Sequence, residues 1–343
     1  FGQALALTES TNRYELADFS EYNDIFLLHN SSGKLNGVKE SIFMENIKDY
    51  SFRWRWNMVN DFRPQSIESS GIKSYPTANY VNYYGMQNGY PINDMTKADA
   101  ESGYDPTHPW KNRDPRFYKT IMFDGVKWRN TGGAGGTAEL FTGGRESEEA
   151  NEKKGCFTAY MNSKLCPQLM NTFDGYKENN IMILSLMRLA DVYLMYAEAT
   201  AVGYNSPKGK AATYSLTAEE ALNKIRERAG VAPVLEKFLG STADFLSELR
   251  RERAVELSFE GFRFTDLRRW MLLTQYPYTL KTKIEFDRAD PNNYNYDAPE
   301  ENAIKNLREV VLIERKYTDR HYWYPLPKKD VSMYEGFYQN PGW

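Results

Sequence analysis

Cysteine and histidine are scarce in this chain of 343 residues. It contains two cysteines, Cys156 and Cys166, so no framework of several disulfide bonds holds the fold together. A single bridge between the two stays open as an alternative, although the spacing does not require it. The three histidines, His29, His108 and His321, lie far apart, and no two of them have the spacing of metal ligands. We therefore expect neither a metal site nor a cofactor.

The chain also lacks an excess of charge of either sign. Its 43 Lys and Arg residues face 46 Asp and Glu residues, which leaves a net charge of -3. A protein that binds DNA or RNA usually has a basic excess, so this balance argues against a nucleic-acid partner. Hydrophobic residues make up 41% of the chain, which is typical of a globular protein and too high for a disordered one.

No uninterrupted apolar run is long enough to suggest a membrane span. The most apolar segment, residues 181–202, contains Arg188, Asp191 and Glu198, and each of these would be costly at the centre of a bilayer. We therefore predict a buried helix in this segment. Residues 1–5 show no initiator Met, no basic region and no long apolar run, so we expect the given chain to begin inside a domain.

Aromatic residues, in contrast, are abundant. The 25 Tyr, 18 Phe and 7 Trp residues make up 15% of the chain. Tyrosine favours positions where one end of the side chain is wet, as on recognition surfaces. No nucleophile elbow, zinc-protease motif or phosphate loop accompanies these residues, and the glycine-rich run 132–136 is not followed by a Lys-Ser or Lys-Thr pair. The pattern favours binding over catalysis.

Four helices are predicted between residues 181 and 273. They are expected over about 186–203, 217–229, 242–260 and 262–273. The first has apolar residues at helical spacing, and the second begins with a capping box of Thr217 and Glu220 and ends before Gly230. Four successive helices with short breaks indicate stacked helical hairpins of the tetratricopeptide type.

The rest of the chain has few long periodic segments. After a short helical start, residues 1–180 are predicted as a mostly irregular, loop-rich part, and residues 274–343 as an irregular C-terminal part. The predicted fold is therefore mainly α, with tetratricopeptide-like hairpins at 181–273 between two irregular parts of one domain.

A dense charged block occupies residues 250–269. Arg253, Glu256 and Glu260 would share one helix face, and more charges follow at Arg263, Asp266, Arg268 and Arg269. One interpretation is an anion site built on arginines. Because the neighbours alternate in sign, we favour an ion-pair network that locks two helices together.

The segment 52–57 (FRWRWN) is the main candidate for ligand binding. In an exposed strand, Trp54 and Trp56 would point to one side and form a flat platform that stacks on a sugar ring. Arg55 and Asn57 would hydrogen-bond the sugar hydroxyl groups beside it. A second wall is expected from Tyr276, Tyr278, Tyr294 and Tyr296. The alternative is that one or both indoles fill the core.

Five motifs resemble those of the SusD/RagB family of surface glycan-binding lipoproteins, and they occur in the order of that family. They are 112–117 (NRDPRF), 188–199 (RLADVYLMYAEA), 221–230 (ALNKIRERAG), the block 250–253 (RRER) with 256–263 (ELSFEGFR) and 266–270 (DLRRW), and the terminal 324–327 (YPLP) with 339–343 (QNPGW). The resemblance covers essentially the whole given chain.

This resemblance implies a function as well as a fold. Similar proteins capture an oligosaccharide or polysaccharide at the surface of the outer membrane and pass it to a TonB-dependent transporter of the SusC type. They also carry a signal peptide, a lipidated cysteine and a helical N-terminal region, and we expect all three to be missing from the given chain. Cys156 and Cys166 are internal, so we expect neither to be the lipid anchor. Most of the shared motifs look architectural, so they do not transfer a ligand site.

Two other functions stay open. Within the family, RagB-like members imply capture of a peptide, which would favour clefts with polar groups directed at a backbone. In a different class, a glycoside hydrolase would place a pair of carboxylates in an aromatic cleft.

Overall fold

The computed structural model describes residues 1–28, 38–44, 75–96, 99–130, 133–148, 155–165, 173–174, 181–182 and 185–343. The helices are α1 Gly2–Thr11, α2 Ala78–Val81, α3 Pro115–Thr120, α4 Leu189–Gly203, α5 Ala218–Ala229, α6 Thr242–Glu256, α7 Phe262–Arg269 and α8 Lys328–Met333. The strands are β1 Leu27–Leu28, β2 Ser41–Met44, β3 Ile121–Met122, β4 Met161–Asn162, β5 Ile181–Met182, β6 Ser185–Arg188, β7 Leu280–Arg288 and β8 Ile304–Glu314. These strands form two-stranded antiparallel sheets, namely β1–β5, β2–β6, β3–β4 and β7–β8.

Helices α4, α5 and α6 pack together around an apolar core, as the hairpin prediction requires. The predicted capping box begins α5: the Glu220 N–H donates to the Thr217 hydroxyl, and the Thr217 N–H donates to the Glu220 carboxylate at 2.7 Å. The helix ends at Gly230, whose φ of 72° is rarely adopted by a residue with a Cβ atom. The predicted helical hairpins are therefore confirmed.

Three predicted helix boundaries differ from the structure. The first helix begins at Leu189 because residues 185–188 pair with β2 as strand β6. Helix α6 ends at Glu256 rather than near 260, and Phe259 just beyond it has a left-handed φ of 62°. Helix α7 ends at Arg269, and Met271 follows with a φ of 56°. A left-handed residue interrupts the hydrogen-bond ladder of a helix, which apolar spacing alone does not show.

Strands β7 and β8 form a long hairpin in the part of the chain predicted to be irregular. The side chains of β7 alternate along nine residues, and Thr282, Ile284, Phe286 and Arg288 are the buried ones. Ile284 and Phe286 join a second apolar core with residues of the loop-rich part, including Trp110. Because Thr282 and Arg288 are polar, the inward face of the strand lacks the apolar alternation that would have predicted it.

Buried ion pairs connect the helices with the loop-rich part. The fully buried carboxylate of Glu256, on α6, accepts hydrogen bonds from Arg116 at 2.9 Å, Arg188 at 2.6 Å and Arg228 at 2.5 Å. These arginines lie on α3, at the end of β6 and on α5, so one carboxylate contacts three other elements. The predicted ion-pair network is confirmed.

The same network continues along the charged block. Arg253 forms ion pairs with Asp191 of α4 at 2.8 Å and with Asp266 of α7 at 3.0 Å. Glu260 accepts from Arg188 at 2.8 Å and from Lys164 of the loop-rich part at 2.6 Å. The helices and the loops therefore depend on each other for the burial of their charges.

Removal of the central carboxylate should be costly, because Glu256→Ala leaves three guanidinium groups without their shared partner. We expect the free energy of unfolding to fall by about 3 kcal/mol. Glu335 is exposed and forms no ion pair with another described residue, so Glu335→Ala is the control and should change the free energy of unfolding by less than about 0.5 kcal/mol. Urea unfolding measures both, and equal midpoints for the two variants would show that the network does not stabilise the fold.

Acid should destabilise the protein for the same reason. Burial opposes ionisation of Glu248, Glu252 and Glu256, but neighbouring guanidinium groups lower the pKa of all three, that of Glu248 to about 2. In the unfolded chain a glutamate has a pKa of about 4.3. The unfolded state therefore binds more protons in acid, and the stabilisation is present above about pH 4.5 and lost as the pH falls towards 2. Thermal unfolding between pH 6 and pH 3 measures this loss, and a constant midpoint would contradict it.

Candidate functional site

A cavity of about 580 Å³ lies where the helices meet the β7–β8 hairpin, and we call it the junction cavity. Its walls come from α2 and the turn after it, the loop that contains Ile92, helix α6, the start of α7, residues 276–278 and the hairpin strands. Its lining includes Asn82, Tyr83, Asp99, Lys237, Glu248, Arg250, Arg251, Arg263, Tyr276, Tyr278, Thr282 and Glu309.

Aromatic rings form one side of the junction cavity. Tyr276 is 77% exposed, and Tyr278 beside it is half-buried. The guanidinium of Arg263 lies between two rings, at 4.7 Å from the ring centre of Tyr83 and 5.5 Å from that of Tyr278. Such cation–π contacts hold the arginine and the tyrosines in place. The wall therefore presents apolar ring surface next to fixed hydrogen-bond donors.

Two polar atoms of the lining are buried and have no hydrogen-bond partner in the part of the chain that the structure describes: Oδ1 of Asn82 and Nε of Arg250. Asn82 is only 6% exposed, and its amide Nδ2 donates to the carboxylate of Glu309 at 3.2 Å. Glu309 also accepts from the hydroxyl of Thr282 at 2.6 Å. A buried polar atom without a partner costs about 1–3 kcal/mol. A ligand that brings both a donor and an acceptor would remove this cost.

Two carboxylates of the lining, Glu248 and Asp99, are not arranged for acid–base chemistry. Glu248 is buried, yet the guanidinium groups of Arg251 and Arg226 lower its pKa to about 2, so it stays ionised. Hydrolysis of a glycosidic bond needs a carboxylic acid whose pKa is raised. Asp99 is exposed and lies 3.7 Å from Lys237. In the described part of the chain, no group of three or more His, Cys, Asp or Glu residues is placed to hold a metal ion.

The four predicted tyrosines separate into two pairs. Tyr276 and Tyr278 line the junction cavity. Tyr294 is 8% exposed, its ring centre lies 3.9 Å from the guanidinium carbon of Arg288, and its hydroxyl donates to Asp124 at 3.1 Å. The ring of Tyr296 packs on that of Tyr294, with 5.0 Å between the ring centres. The second pair thus belongs to a packed cluster at the end of β7 and does not line the cavity.

The predicted platform of Trp54, Arg55, Trp56 and Asn57 lies outside the described residues, so its role in binding stays a prediction. Cys156 is buried, and Cys166 also lies outside the described residues.

Sequence reasoning missed several residues of the junction cavity. Asn82 follows a helix of only four residues, too short for a periodic signal, and Glu309 lies on a strand that was not predicted. Arg250 and Arg263 belong to the charged block, where the alternating signs assigned every residue to ion pairs. Only the folded chain shows that these two arginines have no carboxylate partner among the described residues.

The described helices include none that is both long and apolar enough to cross a bilayer. The model of the SusD family matches residues 39–343. In a comparison with curated protein sequences, none matches this chain.

Solved structures resemble the whole fold. A SusD-like protein from Bacteroides fragilis has 21% identity and a TM-score of 0.67, over 96% of this chain and 59% of its own. A SusD-like carbohydrate-binding protein of the same species has 18% identity and a TM-score of 0.65, again over 96% and 59%. A SusD homologue from Bacteroides thetaiotaomicron has 19% identity and a TM-score of 0.55, over 100% and 58%. The predicted SusD-like, mainly α fold is confirmed, and the chain spans less than two thirds of the length of these proteins.

The two pairs of tyrosines should differ in their effect on stability. Tyr294→Ala removes a buried ring and its contacts with Arg288 and Asp124, so we expect a loss of about 3 kcal/mol in the free energy of unfolding. Tyr276→Ala removes an exposed ring and should leave it within about 0.5 kcal/mol. Urea unfolding compares the two variants. A large loss for Tyr276→Ala would show that this ring is part of the core.

Proposed function

The chain belongs to the SusD family, and from this premise we propose that it binds a glycan without cleaving it, with the junction cavity as a binding site. A solved relative with the same fold is described as a carbohydrate-binding protein. The volume of about 580 Å³ lies within the range of ligand pockets.

The observation that carries this proposal is the combination of ring surface and orphaned polar atoms in one cavity. A sugar has an apolar C–H face and a rim of hydroxyl groups, each of which donates and accepts hydrogen bonds. The exposed ring of Tyr276 matches the first feature. Oδ1 of Asn82, an acceptor, and Nε of Arg250, a donor, match the second, because neither has a hydrogen-bond partner among the described residues.

We propose the cell surface as the place of this function and a TonB-dependent transporter of the SusC type as the protein that receives the glycan. Family membership supports both proposals. In this account the platform of Trp54 and Trp56, with Arg55 and Asn57, is a second stacking surface for the same glycan.

Binding is favoured over hydrolysis because the buried carboxylate of the cavity is neutralised by two arginines. Glu248 forms ion pairs with both Arg226 and Arg251, which removes it as a proton donor.

A glycan array followed by calorimetry tests the proposal. One aromatic anchor in a small site contributes roughly 2 kcal/mol, so Tyr276→Ala should weaken binding of the best glycan about thirtyfold. The control is Tyr204→Ala, which removes a tyrosine that is also exposed but lies at the end of α4, and it should bind normally. Trp54→Ala and Trp56→Ala test the second surface in the same assay.

Two results would contradict the proposal. One is release of new reducing ends from a polysaccharide that stops when a single carboxylate is replaced, which would identify a hydrolase. The other is binding of peptides but of no glycan on the array.

A further inference from the structure

Arg250 and Arg263 differ from the neighbouring arginines of the charged block. Arg251 pairs with Glu248, while Arg253 and Arg269 each pair with two carboxylates, and Arg268 donates to the carbonyl of Tyr322. Nε of Arg250 is buried and has no hydrogen-bond partner among the described residues. Arg263 donates to the carbonyl of Arg250 at 3.3 Å and forms a side-chain hydrogen bond with Tyr83. Neither arginine is paired with a described carboxylate, although both line the junction cavity.

The guanidinium groups of Arg250 and Arg263 both lie against the indole of Trp270. Their central carbons are 5.5 Å and 6.0 Å from the ring centre of Trp270. Trp270 is itself held by a hydrogen bond from Nε1 to Glu198 at 2.7 Å. That carboxylate does not neutralise the pair, since Arg269 occupies it with two hydrogen bonds, at 2.5 Å and 2.7 Å.

A third cation, Lys281, is near enough to Arg263 to be affected by its charge. Burial, together with the charges of Arg315 and Arg263, lowers the pKa of Lys281 on β7 to about 8. Glu309, the lining carboxylate on β8, accepts from Asn82 and Thr282 and forms no ion pair with Arg250 or Arg263. The α6–α7 wall of the cavity therefore carries two arginines that no described carboxylate pairs with, because Glu248 on the same wall is already paired with Arg226 and Arg251.

We infer that the glycan bound in the junction cavity is acidic and that its carboxylate or sulfate groups are held by Arg250 and Arg263. This inference rests on the proposed function. A guanidinium offers two parallel N–H donors that match the oxygens of either anion, and such bonds are stronger than those between neutral groups. Contacts with the rings of Tyr83 and Tyr278 hold the guanidinium of Arg263 in place before the ligand binds, so this side chain loses less conformational entropy on binding. Glu309 and Asn82, on another wall, are then the partners of the sugar hydroxyls.

An array of neutral, uronate-containing and sulfated glycans tests the inference, with calorimetry on the strongest ligand. We expect the strongest ligands to be acidic. Carboxyl reduction or desulfation of the same glycan should weaken binding at least tenfold, and the treatment that has this effect identifies the anion. Arg250→Gln and Arg263→Gln should each weaken binding of the untreated glycan at least tenfold and that of the neutralised glycan much less. Arg13→Gln, at an exposed arginine outside the cavity, is the matched control and should bind normally.

Each contrary result has a separate meaning. Preference for neutral glycans, or equal binding by the two variants and wild type, would overturn the inference and leave the proposed function intact. Equally tight binding of polyglutamate would also overturn it, because that chain carries carboxylates without sugar rings. Failure to bind any glycan on the array would overturn the proposed function and the inference together. Because neutralisation of the ligand requires no variant, the test stands even if an arginine variant does not fold.

Discussion

Burial of the Glu256 carboxylate among Arg116, Arg188 and Arg228 is the interaction that connects helix α6 with the loop-rich part and with the neighbouring helix and strand. Each charge would cost several kcal/mol to bury alone, and the partners come from α3, β6 and α5. Neither the helices nor the loop-rich part can therefore satisfy its buried charges without the other. The position of α6 follows from this constraint, and α6 in turn supplies one wall of the junction cavity.

Helix α6 and the start of α7 thus have two electrostatically different sides. On the inner side, Glu256 and Arg253 are matched by opposite charges from other elements. On the side of the cavity, Arg250 and Arg263 have aromatic neighbours and no carboxylate among the described residues. This difference between the two sides of the same helices is the basis for the proposal that an acidic ligand pairs with Arg250 and Arg263.

The sequence predicted an element well where the residues that determine it lie close together in the chain, and poorly where they lie far apart. The start and end of α5 depend on neighbours within a few residues, and Thr217, Glu220 and Gly230 predicted them. The β7–β8 hairpin was missed because Thr282 and Arg288 face inward, where partners distant in sequence satisfy them. The sequence could not distinguish Tyr276 from Tyr294 for the same reason. The ring of Tyr294 is packed because it contacts Asp124, which is distant in the sequence, and Arg288, whereas the ring of Tyr276 is exposed.

Hydrogen exchange with and without the strongest glycan on the array tests the central claim most directly, namely that ligand binds at the junction of the helices and the hairpin. The account predicts slower exchange on binding in residues 78–84, 247–251 and 276–282, which come from three elements of the cavity wall. The amides around Tyr294 should exchange as before. Protection confined to segments outside the cavity, with these three unchanged, would contradict the account.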